Sequence, residues 1–517
     1  MKRRDFITKA VPTGVAATTL PFLMDGASLK AYASSPLFAQ LAAAAQTDRV
    51  LVVLFLDGGN DGLNTVIPRN NPAYFNARPN LGIKNSLPIN DTLGFHPKMT
   101  GFDTLYKDGR IAIVQNVGYE RQNRSHFRST DIWFTASDST EVLSTGWLGR
   151  YLAATHPDYP DVFPDHPLAI QIGSTLSLTF QGPKSQMGLA ITDPEQFYNL
   201  IQGTDISGGD PPPDTPAGHE VKFIRGVALE AFTYAGPIRD AANNATNQVQ
   251  YPNLTTGGNL PGQLQIVARM IAGGLTTPVY MVRIGGFDTH ANEDTRHPVL
   301  LEAVSQSVEA FMQDLKALGV EDRVLIMTMS EFGRRTKENG SKGTDHGSAA
   351  PHFLISPKVR GGIYGHDPDF SNVDRSGDFI YQYDFRQIYA SILEQWFGVP
   401  GDIIKQALLR DFATIPMIES PPVGVDDPAF ANGFVLEQNY PNPFNPTTRI
   451  FFNTPGGKVR LTIHDESGRI IQTLVNDHVA PGRHEVTFKA RNLASGTYFY
   501  RLESNGFKQT KAMTLVR

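Results

Sequence analysis

The sequence predicts an α/β domain, built on a mainly parallel sheet with helices on both faces, and a small all-β, Ig-like sandwich after it. Continuous apolar runs that end in Gly-rich polar loops, with helical periodicity between them, predict the first domain. Alternation of apolar and polar residues near the C-terminus predicts the second. A chain of 517 residues also exceeds the usual size of a single core, so at least two domains are expected.

The charge is unevenly distributed along the chain. Residues 48–433 carry 30 Lys and Arg against 43 Asp and Glu, whereas residues 434–517 carry 11 against 6. An acidic main domain argues against a nucleic-acid groove but is compatible with an anionic substrate, because a bound cation inverts the local field. The chain contains no cysteine, which excludes disulfides, thiolate metal ligands and a cysteine nucleophile.

Residues 1–47 are predicted to be an export signal and leader. Arg3-Arg4, followed closely by Phe6-Ile7, resembles a twin-arginine signal. The apolar region Val11–Met24 is broken by two prolines and a glycine. A spanning helix needs about 20 apolar residues, so a targeting signal is favoured over an anchor. No other stretch is long and apolar enough to cross a membrane, and none is expected in the mature protein.

The first predicted strand covers residues 50–56 and runs directly into Asp57 and a Gly-rich turn. Glycines let the backbone turn sharply and approach a ligand, so Asp57 is a candidate ligand at the carboxyl end of a central strand. The alternative interpretation is an ordinary Asx turn.

A second strand, Ile111–Val114, is followed by a loop that contains Arg124, Ser125 and Arg128. Arginine forks suit phosphate, sulfate or carboxylate groups. The alternative is that these arginines form salt bridges with their acidic surroundings.

Two further strands end in candidate ligands. Val279–Ile284 enters a Gly-Gly turn with Asp288 and His290, and Val324–Met329 precedes Glu331. The Gly-rich loop after Glu331 holds Asp345 and His346 and leads to a last short apolar run, 353–355. The carboxyl ends of parallel strands meet at one sheet edge, so these groups predict a metal or acid/base site. The alternative is a polar loop held by its own hydrogen bonds.

The remaining elements are assigned from periodicity. Helical spacing predicts a helix around 300–318 and another over Asp384–Phe397, both with core-facing apolar residues. Gly203–Gly218 is predicted to be an irregular loop, and residues 156–261 otherwise give a weak signal. Residues 416–433 look like a linker, beyond which short alternating strands begin, and their histidines, including His464, are expected at the surface.

Two families resemble parts of this chain. QNYPNPFNPTTRI and LASGTYFYRL make residues 434–517 similar to a type IX secretion type A sorting domain. FLDGGNDGLN, RSHF, GGFDTH, SEFGR and GTDHG make residues 48–415 resemble the bacterial domain-of-unknown-function family 1501. That family is similar to the alkaline phosphatase and sulfatase superfamily, which implies an α/β fold and hydrolysis of phosphate or sulfate esters with divalent metals. The tail implies outer-membrane translocation, after twin-arginine passage to the periplasm.

The superfamily resemblance also implies roles for individual residues. Asp57 matches the first-strand metal aspartate, and Asp288 with His290 matches a later Asp/His pair. One residue separates Asp288 from His290 here, where phosphatases have three. Ser125 lies near the expected nucleophile position. No Cys/Ser-x-Pro-x-Arg sulfatase motif is present.

The leading hypothesis is an exported, cell-surface or extracellular metallohydrolase of phosphate or sulfate esters. Its substrate is a small-molecule or polysaccharide ester, and its cofactor is zinc, manganese, calcium or magnesium, bound as one or two ions. The expected metal ligands are Asp57, Asp288, His290, Glu331, Asp345 and His346. A water or Ser125 would attack, and Arg124 or Arg128 would bind the anionic oxygens. The rival hypothesis is a non-enzymatic cell-surface protein that keeps the fold, which the altered Asp/His spacing and the missing sulfatase motif favour.

Overall fold

A computed structural model describes residues 48–202, 212–254 and 258–419, and most of 435–516 with short gaps. The chain divides into two compact units, between Pro421 and Pro422. The predicted export signal, the linker after residue 419 and most of the predicted 203–218 loop lie outside the described residues.

The first unit is organised around a nine-stranded sheet in the order β13-β5-β12-β9-β1-β8-β6-β7, with β14 also paired to β5. The strands of this unit are β1 Val50–Asp57, β2 Val66–Pro68, β3 Leu87–Pro88, β4 Leu93–Phe95, β5 Ile111–Gly118, β6 Ala169–Ile172, β7 Leu189–Ile191, β8 Val279–Gly285, β9 Val324–Met329, β10 Arg334–Glu338, β11 Thr344–His346, β12 Ala350–Ile355, β13 Gly362–Tyr364 and β14 Tyr383–Asp384. Strands β2 to β4 form a small separate sheet, and β10 pairs with β11.

The centre of the large sheet is parallel, as the sequence predicts. Strand β1 lies between β8 and β9 and runs parallel to both, with Asp57 opposite Gly285. Strand β12, which contains the last apolar run, is antiparallel to both β5 and β9. The mainly parallel α/β prediction is confirmed, and β12 is the exception within it.

Helices cover both faces of this sheet, and each face has its own hydrophobic core. The helices are α1 Pro72–Ala77, α2 Thr100–Lys107, α3 His126–Thr135, α4 Trp147–Thr155, α5 Pro194–Ile201, α6 Pro216–Asn244, α7 Leu260–Ala272, α8 Glu293–Ala317, α9 Phe385–Ser391 and α10 Gly401–Leu408. A π-helical turn, Ile392–Trp396, extends α9. The 29-residue α6 falls where the sequence signal was weak, and it begins within the predicted irregular loop at Pro216.

The first unit continues a few residues past its predicted end at Ile415. Met417 and Ile418 are buried, at 0% and 1% exposure. The amide of Ile418 donates to Gln395 Oε1 at 3.1 Å, and that of Arg360 donates to the Met417 carbonyl at 2.7 Å. The first residues assigned to the linker therefore belong to the core.

The second unit contains only strands among its described residues. They are β15 Val435–Leu436, β16 Thr447–Thr454, β17 Gly457–His464, β18 Ile470–Val479, β19 Gly482–Lys489, β20 Gly496–Ser504 and β21 Phe507–Leu515. They form antiparallel sheets of three and four strands around one apolar core. The all-β prediction is confirmed, whereas the expected surface position of His464 is wrong. His464 is 5% exposed because its ring contacts Thr462 Oγ1 and the Gly468 carbonyl.

Within the described part of the chain, no helix has the length and apolar character needed to cross a membrane.

Candidate functional site

The ends of β1, β8 and β9 bring their loops into direct contact. The amide of Gly58, just after β1, donates to Glu331 Oε1 at 2.9 Å. Gly58 has φ +123°, and a methyl group there would lie 2.4 Å from the Asp288 amide nitrogen. Only glycine permits both this conformation and this approach. The first Gly-rich turn therefore packs directly against the loops that carry Glu331 and Asp288 and helps to position them.

One carboxylate oxygen, Asp288 Oδ1, is the centre of the site. Imidazole nitrogens lie around it: His290 Nε2 at 3.1 Å, His346 Nε2 at 3.2 Å and His126 Nε2 at 3.4 Å. The Arg334 guanidinium donates to the same oxygen at 2.7 Å. His126, Asp288 and His346 each offer a ligand atom within 4.8 Å of the other two, which is compatible with a shared metal ion.

The outer nitrogens of two histidines are held by acceptors. His346 Nδ1 lies 2.7 Å from the Arg124 carbonyl, and His126 Nδ1 lies 2.7 Å from Glu331 Oε1. Because a carbonyl and a carboxylate can only accept, both Nδ1 atoms carry hydrogen. In the neutral rings, the Nε2 lone pairs then point towards Asp288. A buried carboxylate or carbonyl behind each histidine is the arrangement found around metal-ligating histidines.

The charges of the site are set by these contacts. Burial raises the pKa of Asp288, but the hydrogen bond and the positive charge of Arg334 oppose it, and that pKa falls to about 2. The hydrogen bond to Glu331 raises the pKa of His126. Burial lowers the pKa of His346, which favours its neutral, ligand-competent form.

His290 and Asp345 form the outer rim of the site. His290 Nδ1 lies 3.3 Å from Asp345 Oδ1, and its Nε2 lies 2.8 Å from His346 Nε2. Asn339 supports this rim, since its Nδ2 donates to the His290 carbonyl at 2.9 Å and to Asp345 at 3.2 Å. Five of the six predicted ligands thus gather in one cluster, with Glu331 behind His126 rather than beside Asp288. Their role as ligands stays a prediction.

Asp57 lies outside this arrangement of contacts. Its carboxylate forms a salt bridge with Arg283 on the neighbouring strand β8, and Arg283 Nε donates to Asp57 Oδ2 at 3.0 Å. The prediction that Asp57 is a metal ligand therefore has no supporting contact. It is the backbone of Asp57 that serves the site, because its carbonyl accepts from the Phe287 amide at 3.2 Å.

The predicted anion-binding arginines are engaged elsewhere. Arg124 pairs with Asp378 and also lies 3.6 Å from Asp374. Arg128 donates to the carbonyls of Asp138 and Glu141. These contacts correspond to the alternative interpretation, in which the loop arginines bond to their own surroundings. Arg124 contributes to the cluster through its carbonyl, which holds His346.

Ser125, the predicted nucleophile, caps α3 at an exposed position. The next residue, His126, reaches into the cluster, so Ser125 is the sequence neighbour of a residue of the site. No hydrogen bond of the Ser125 hydroxyl is found among the described residues.

Two residues of the cluster were not among the predicted site residues. His126 follows Ser125 in RSHF, and its position at a helix start behind a strand was the available signal. Arg334 is fully buried and donates to the carbonyls of Gly59 at 2.7 Å, Thr344 at 2.8 Å and Phe287 at 3.0 Å. Arg334 thus connects three loops by hydrogen bonds and also places a positive charge next to the Asp288 carboxylate.

A second, fully buried polar cluster lies behind the first. Asp61 and Arg78 form a bidentate salt bridge, with Glu293 4.0 Å from the guanidinium. His297 Nε2 lies 2.9 Å from Asn60 Oδ1. Burial raises the pKa of Glu293 and lowers that of His297 to about 3. Burial thus favours the neutral form of both side chains.

Family comparisons match both units. Residues 238–408 match the family described as "Protein of unknown function (DUF1501)", and residues 438–515 match the "Secretion system C-terminal sorting domain". These matches confirm the two family resemblances. A comparison with curated proteins gave no match.

Solved structures include distant neighbours of this chain. A protein of the alkaline phosphatase superfamily from Vibrio parahaemolyticus is 10% identical, with a TM-score of 0.33, over 86% of this chain and 90% of that chain. PsFucS1 sulfatase from Pseudoalteromonas sp. is 12% identical, with a TM-score of 0.31, over 87% of each chain. PorZ, a type IX secretion component of Porphyromonas gingivalis, is 18% identical, with a TM-score of 0.14, over 20% of this chain but only 14% of its own. The family matches therefore describe a chain with an α/β unit that carries the DUF1501 match and a smaller unit that carries the match to the secretion-system C-terminal sorting domain.

Proposed function

We propose that the first unit is an exported metallohydrolase of phosphate or sulfate esters, whose metal is held by His126, Asp288 and His346. One observation carries this proposal. His126 Nε2 is buried and has no hydrogen-bond partner among the described residues, while its Nδ1 is fixed by Glu331. A buried nitrogen without a hydrogen bond is costly, and a cation held between it and Asp288 Oδ1, 3.4 Å away, would remove that cost.

The donor set fits a metal that accepts both nitrogen and oxygen. Two imidazole nitrogens and one carboxylate oxygen are typical of zinc, and calcium and magnesium prefer oxygen ligands alone. Zinc is therefore favoured over calcium and magnesium, with manganese next. His290 and Asp345 stand at the rim, where they could complete the ligand set or contact the substrate.

The chain's own residues would divide the remaining work. A bound metal would supply Lewis-acid polarisation of the ester. His290 contacts Asp345 through Nδ1 and Asp288 through Nε2. This position would let it hold or transfer a proton at Nε2. Ser125 is the exposed hydroxyl beside His126 and the candidate nucleophile, with water as the alternative. Arg334 is locked by backbone carbonyls and would fix Asp288 without swinging towards a substrate.

A second candidate function is supported by Arg334 itself. Its guanidinium already neutralises Asp288, so the carboxylate has a counter-charge without a metal. This observation favours a cell-surface protein that keeps the fold without catalysis. In that case the loops would be held by hydrogen bonds, and the protein would bind no divalent ion at this place.

Metal analysis of the purified protein separates the two functions. We expect about one zinc or manganese ion per chain, lost in His346→Ala and His126→Ala and kept in His478→Ala. His478 is an exposed residue of the second unit and serves as the matched control. The same four proteins should be assayed with aryl phosphate and aryl sulfate esters, and activity should follow metal content. A wild-type protein that takes up neither zinc nor manganese after dialysis against them would leave only the non-enzymatic function.

The sorting domain indicates export to the cell surface or the extracellular space. We propose that the chain first enters the periplasm through its twin-arginine signal at Arg3-Arg4, and then crosses the outer membrane by type IX secretion. An ester in a small molecule or a polysaccharide outside the cell would then be its substrate.

A further inference from the structure

We propose that Glu293, at the start of α8, is a positioning residue that fixes the distance between the two histidine loops of the cluster. One loop carries Asp288 and His290, and the other carries Asp345 and His346. The inference rests on the proposed function for its effect on metal binding, whereas its effect on the loops can be measured independently.

The Glu293 carboxyl contacts both loops at once. Its Oε2 accepts from Thr289 Oγ1 at 3.1 Å and from Thr344 Oγ1 at 2.5 Å. Thr289 lies between Asp288 and His290, and Thr344 immediately precedes Asp345. All three bridging side chains are buried, at 1%, 0% and 0% exposure. A single oxygen atom therefore joins the two segments that supply most of the cluster.

The other carboxyl oxygen reaches a third loop. Glu293 Oε1 accepts from Asn64 Nδ2 at 3.2 Å, and Asn64 belongs to the turn that follows β1. The same turn supports Glu331 through the Gly58 amide. Glu293 thus contacts the three loops that surround the metal position without itself reaching Asp288 or the histidines.

The backbone around Glu293 reinforces this connection. The Thr344 amide donates to the Thr289 carbonyl at 3.1 Å, and the Glu293 amide donates to the Lys342 carbonyl at 2.9 Å. The two chains are so close that a methyl group at Gly343 would lie 2.2 Å from the His290 carbonyl carbon. Loops packed this tightly have little room to move, provided that the side chain between them stays in place.

The surrounding charges require Glu293 to act as a neutral acid. Arg78 is the positive side chain paired with Asp61, and both Asp61 oxygens are taken by its guanidinium. A second negative charge beside Asp61 would be uncompensated in a buried site. A protonated carboxyl instead accepts from the two threonines and donates its proton to Asp61. Glutamine keeps the shape and the one acceptor oxygen that joins the two threonines, although its amide nitrogen cannot accept from Asn64 as Oε1 does. Because the Thr289–Thr344 connection is the one that joins the two histidine loops, glutamine should replace glutamate here.

A second metal site is the competing explanation for this cluster. Asp61, Glu293 and His297 offer ligand atoms within 4.8 Å of one another. Arg78 already supplies the positive charge, and the His297 Nε2 atom is bonded to Asn60 Oδ1. These contacts favour a Glu293 that joins the loops by hydrogen bonds, without a metal ion. The two explanations differ in their response to glutamine, which is a poor ligand for a divalent cation.

The test compares Glu293→Gln, Glu293→Ala, Thr289→Val and the control Glu309→Ala in the full chain. Glu309 lies on the same helix and is half-buried, so its replacement removes a comparable carboxyl away from the loops. Zn²⁺ affinity is measured by calorimetry on metal-free protein. Hydrogen exchange is measured by mass spectrometry on peptides that cover residues 286–292 and 341–347.

We expect Glu293→Gln and Glu309→Ala to bind Zn²⁺ within about threefold of wild type. Glu293→Ala should bind about 10- to 100-fold more weakly, the range typical for residues that orient metal ligands, and Thr289→Val should fall between. Exchange in both peptides should accelerate in Glu293→Ala and not in Glu309→Ala. If Glu293→Ala does not fold, Thr289→Val decides, since it removes one hydroxyl and leaves the carboxyl.

Each contrary result has a distinct meaning. Wild-type affinity and unchanged exchange in Glu293→Ala, or in Thr289→Val if that variant decides, would overturn the inference. Equal loss of Zn²⁺ in Glu293→Gln and Glu293→Ala, with two ions bound by wild type, would make Glu293 a ligand of a second metal and also overturn it. If wild type binds no Zn²⁺, the proposed metal function fails, and the exchange data alone then decide whether Glu293 clamps the loops.

Discussion

Arg334 shows at the scale of one residue how this site is held together. Its side chain is fully buried, and it bonds to Asp288 and to carbonyls from three separate loops. A buried guanidinium is stable only when its donors are all matched in this way. The same contacts explain why Asp288 stays ionised.

Replacing Arg334 should therefore be costly. Arg334→Met removes the charge but keeps most of the volume, leaving Asp288 and several carbonyls without a donor. We expect a loss of about 3–5 kcal/mol in the free energy of unfolding, measured with urea at pH 7. Arg283→Met is the control, because Arg283 is a half-exposed partner of Asp57 and should cost about 1 kcal/mol or less. Equal losses in the two variants would contradict this account of Arg334.

Buried neutral histidines give the stability of the first unit a pH dependence. His352 stacks on Trp133 and contacts the Thr328 carbonyl, and burial lowers its pKa to about 4. In the unfolded chain its pKa is near 6.5. Between these two values the unfolded state binds more protons, so stability is complete above pH 6.5 and falls on acidification.

The expected contribution of His352 can be isolated by substitution. One such histidine lowers the free energy of unfolding by at most about 1.4 kcal/mol per pH unit between pH 6.5 and 4. His352→Gln should be less stable than wild type at pH 7, yet lose less stability on acidification. Urea unfolding at pH 7, 6 and 5 measures both. Parallel curves for the two proteins would show that His352 does not titrate in this way.

At the scale of the element, the ends of β1, β8 and β9 determine where the site lies. The loops that follow these strands can contact one another because no side chain stands between them at Gly58. Gly58 combines a positive φ with contact to the Asp288 amide, while Gly109 has φ +73° and open space around it. An alanine at either position would strain the backbone, but only an alanine at Gly58 would also collide with a neighbouring loop. Strain alone costs about 1–2 kcal/mol, and forcing two loops apart adds to it.

We therefore expect Gly58→Ala to be more damaging than Gly109→Ala. Gly109→Ala should lower the free energy of unfolding by about 1–2 kcal/mol and leave metal binding unchanged. Gly58→Ala should cost more and also weaken Zn²⁺ binding, because Asp288 must move. Calorimetric titration together with urea unfolding checks both effects. Unchanged Zn²⁺ affinity in a folded Gly58→Ala protein would show that this contact does not position Asp288.

Elements differed in how well their sequences revealed them. Strands β1, β8 and β9 are short, continuous apolar runs bounded by glycine or polar residues, so their existence could be predicted from the runs themselves. Helix α6 was missed because glycine and proline inside it weaken the helical signal, and tertiary contacts supply its stability. The antiparallel direction of β12 could not be read either, since a short buried run looks the same in both directions.

At the scale of the whole molecule, the boundary of the first unit decides whether it can be studied alone. Buried Met417 and Ile418 lie beyond the end expected from the sequence. A fully buried side chain of this size contributes about 1.5–3 kcal/mol. The hydrophobic core of the first unit therefore includes Met417 and Ile418.

Truncation tests this boundary directly. A chain of residues 48–421 should keep the melting temperature of the first unit and its metal content. A chain that ends at Ile415 should melt at a lower temperature, because it lacks Met417 and Ile418. Differential scanning calorimetry compares both with the full chain. If the longer truncated chain does not fold, the two units are not independent.

The fold class, the strands whose ends carry the site and most members of the cluster were all predictable from the sequence. They were predictable because buried strands and Gly-rich turns leave a local pattern of hydrophobicity, and because parallel strands share one carboxyl edge. Which side chains face one another there depends on the three-dimensional fold. Asp57 forms a salt bridge with Arg283, whereas His126 and Arg334 contact Asp288. These partners lie tens to hundreds of residues apart in the chain, so their choice depends on side-chain direction and packing that no local pattern contains.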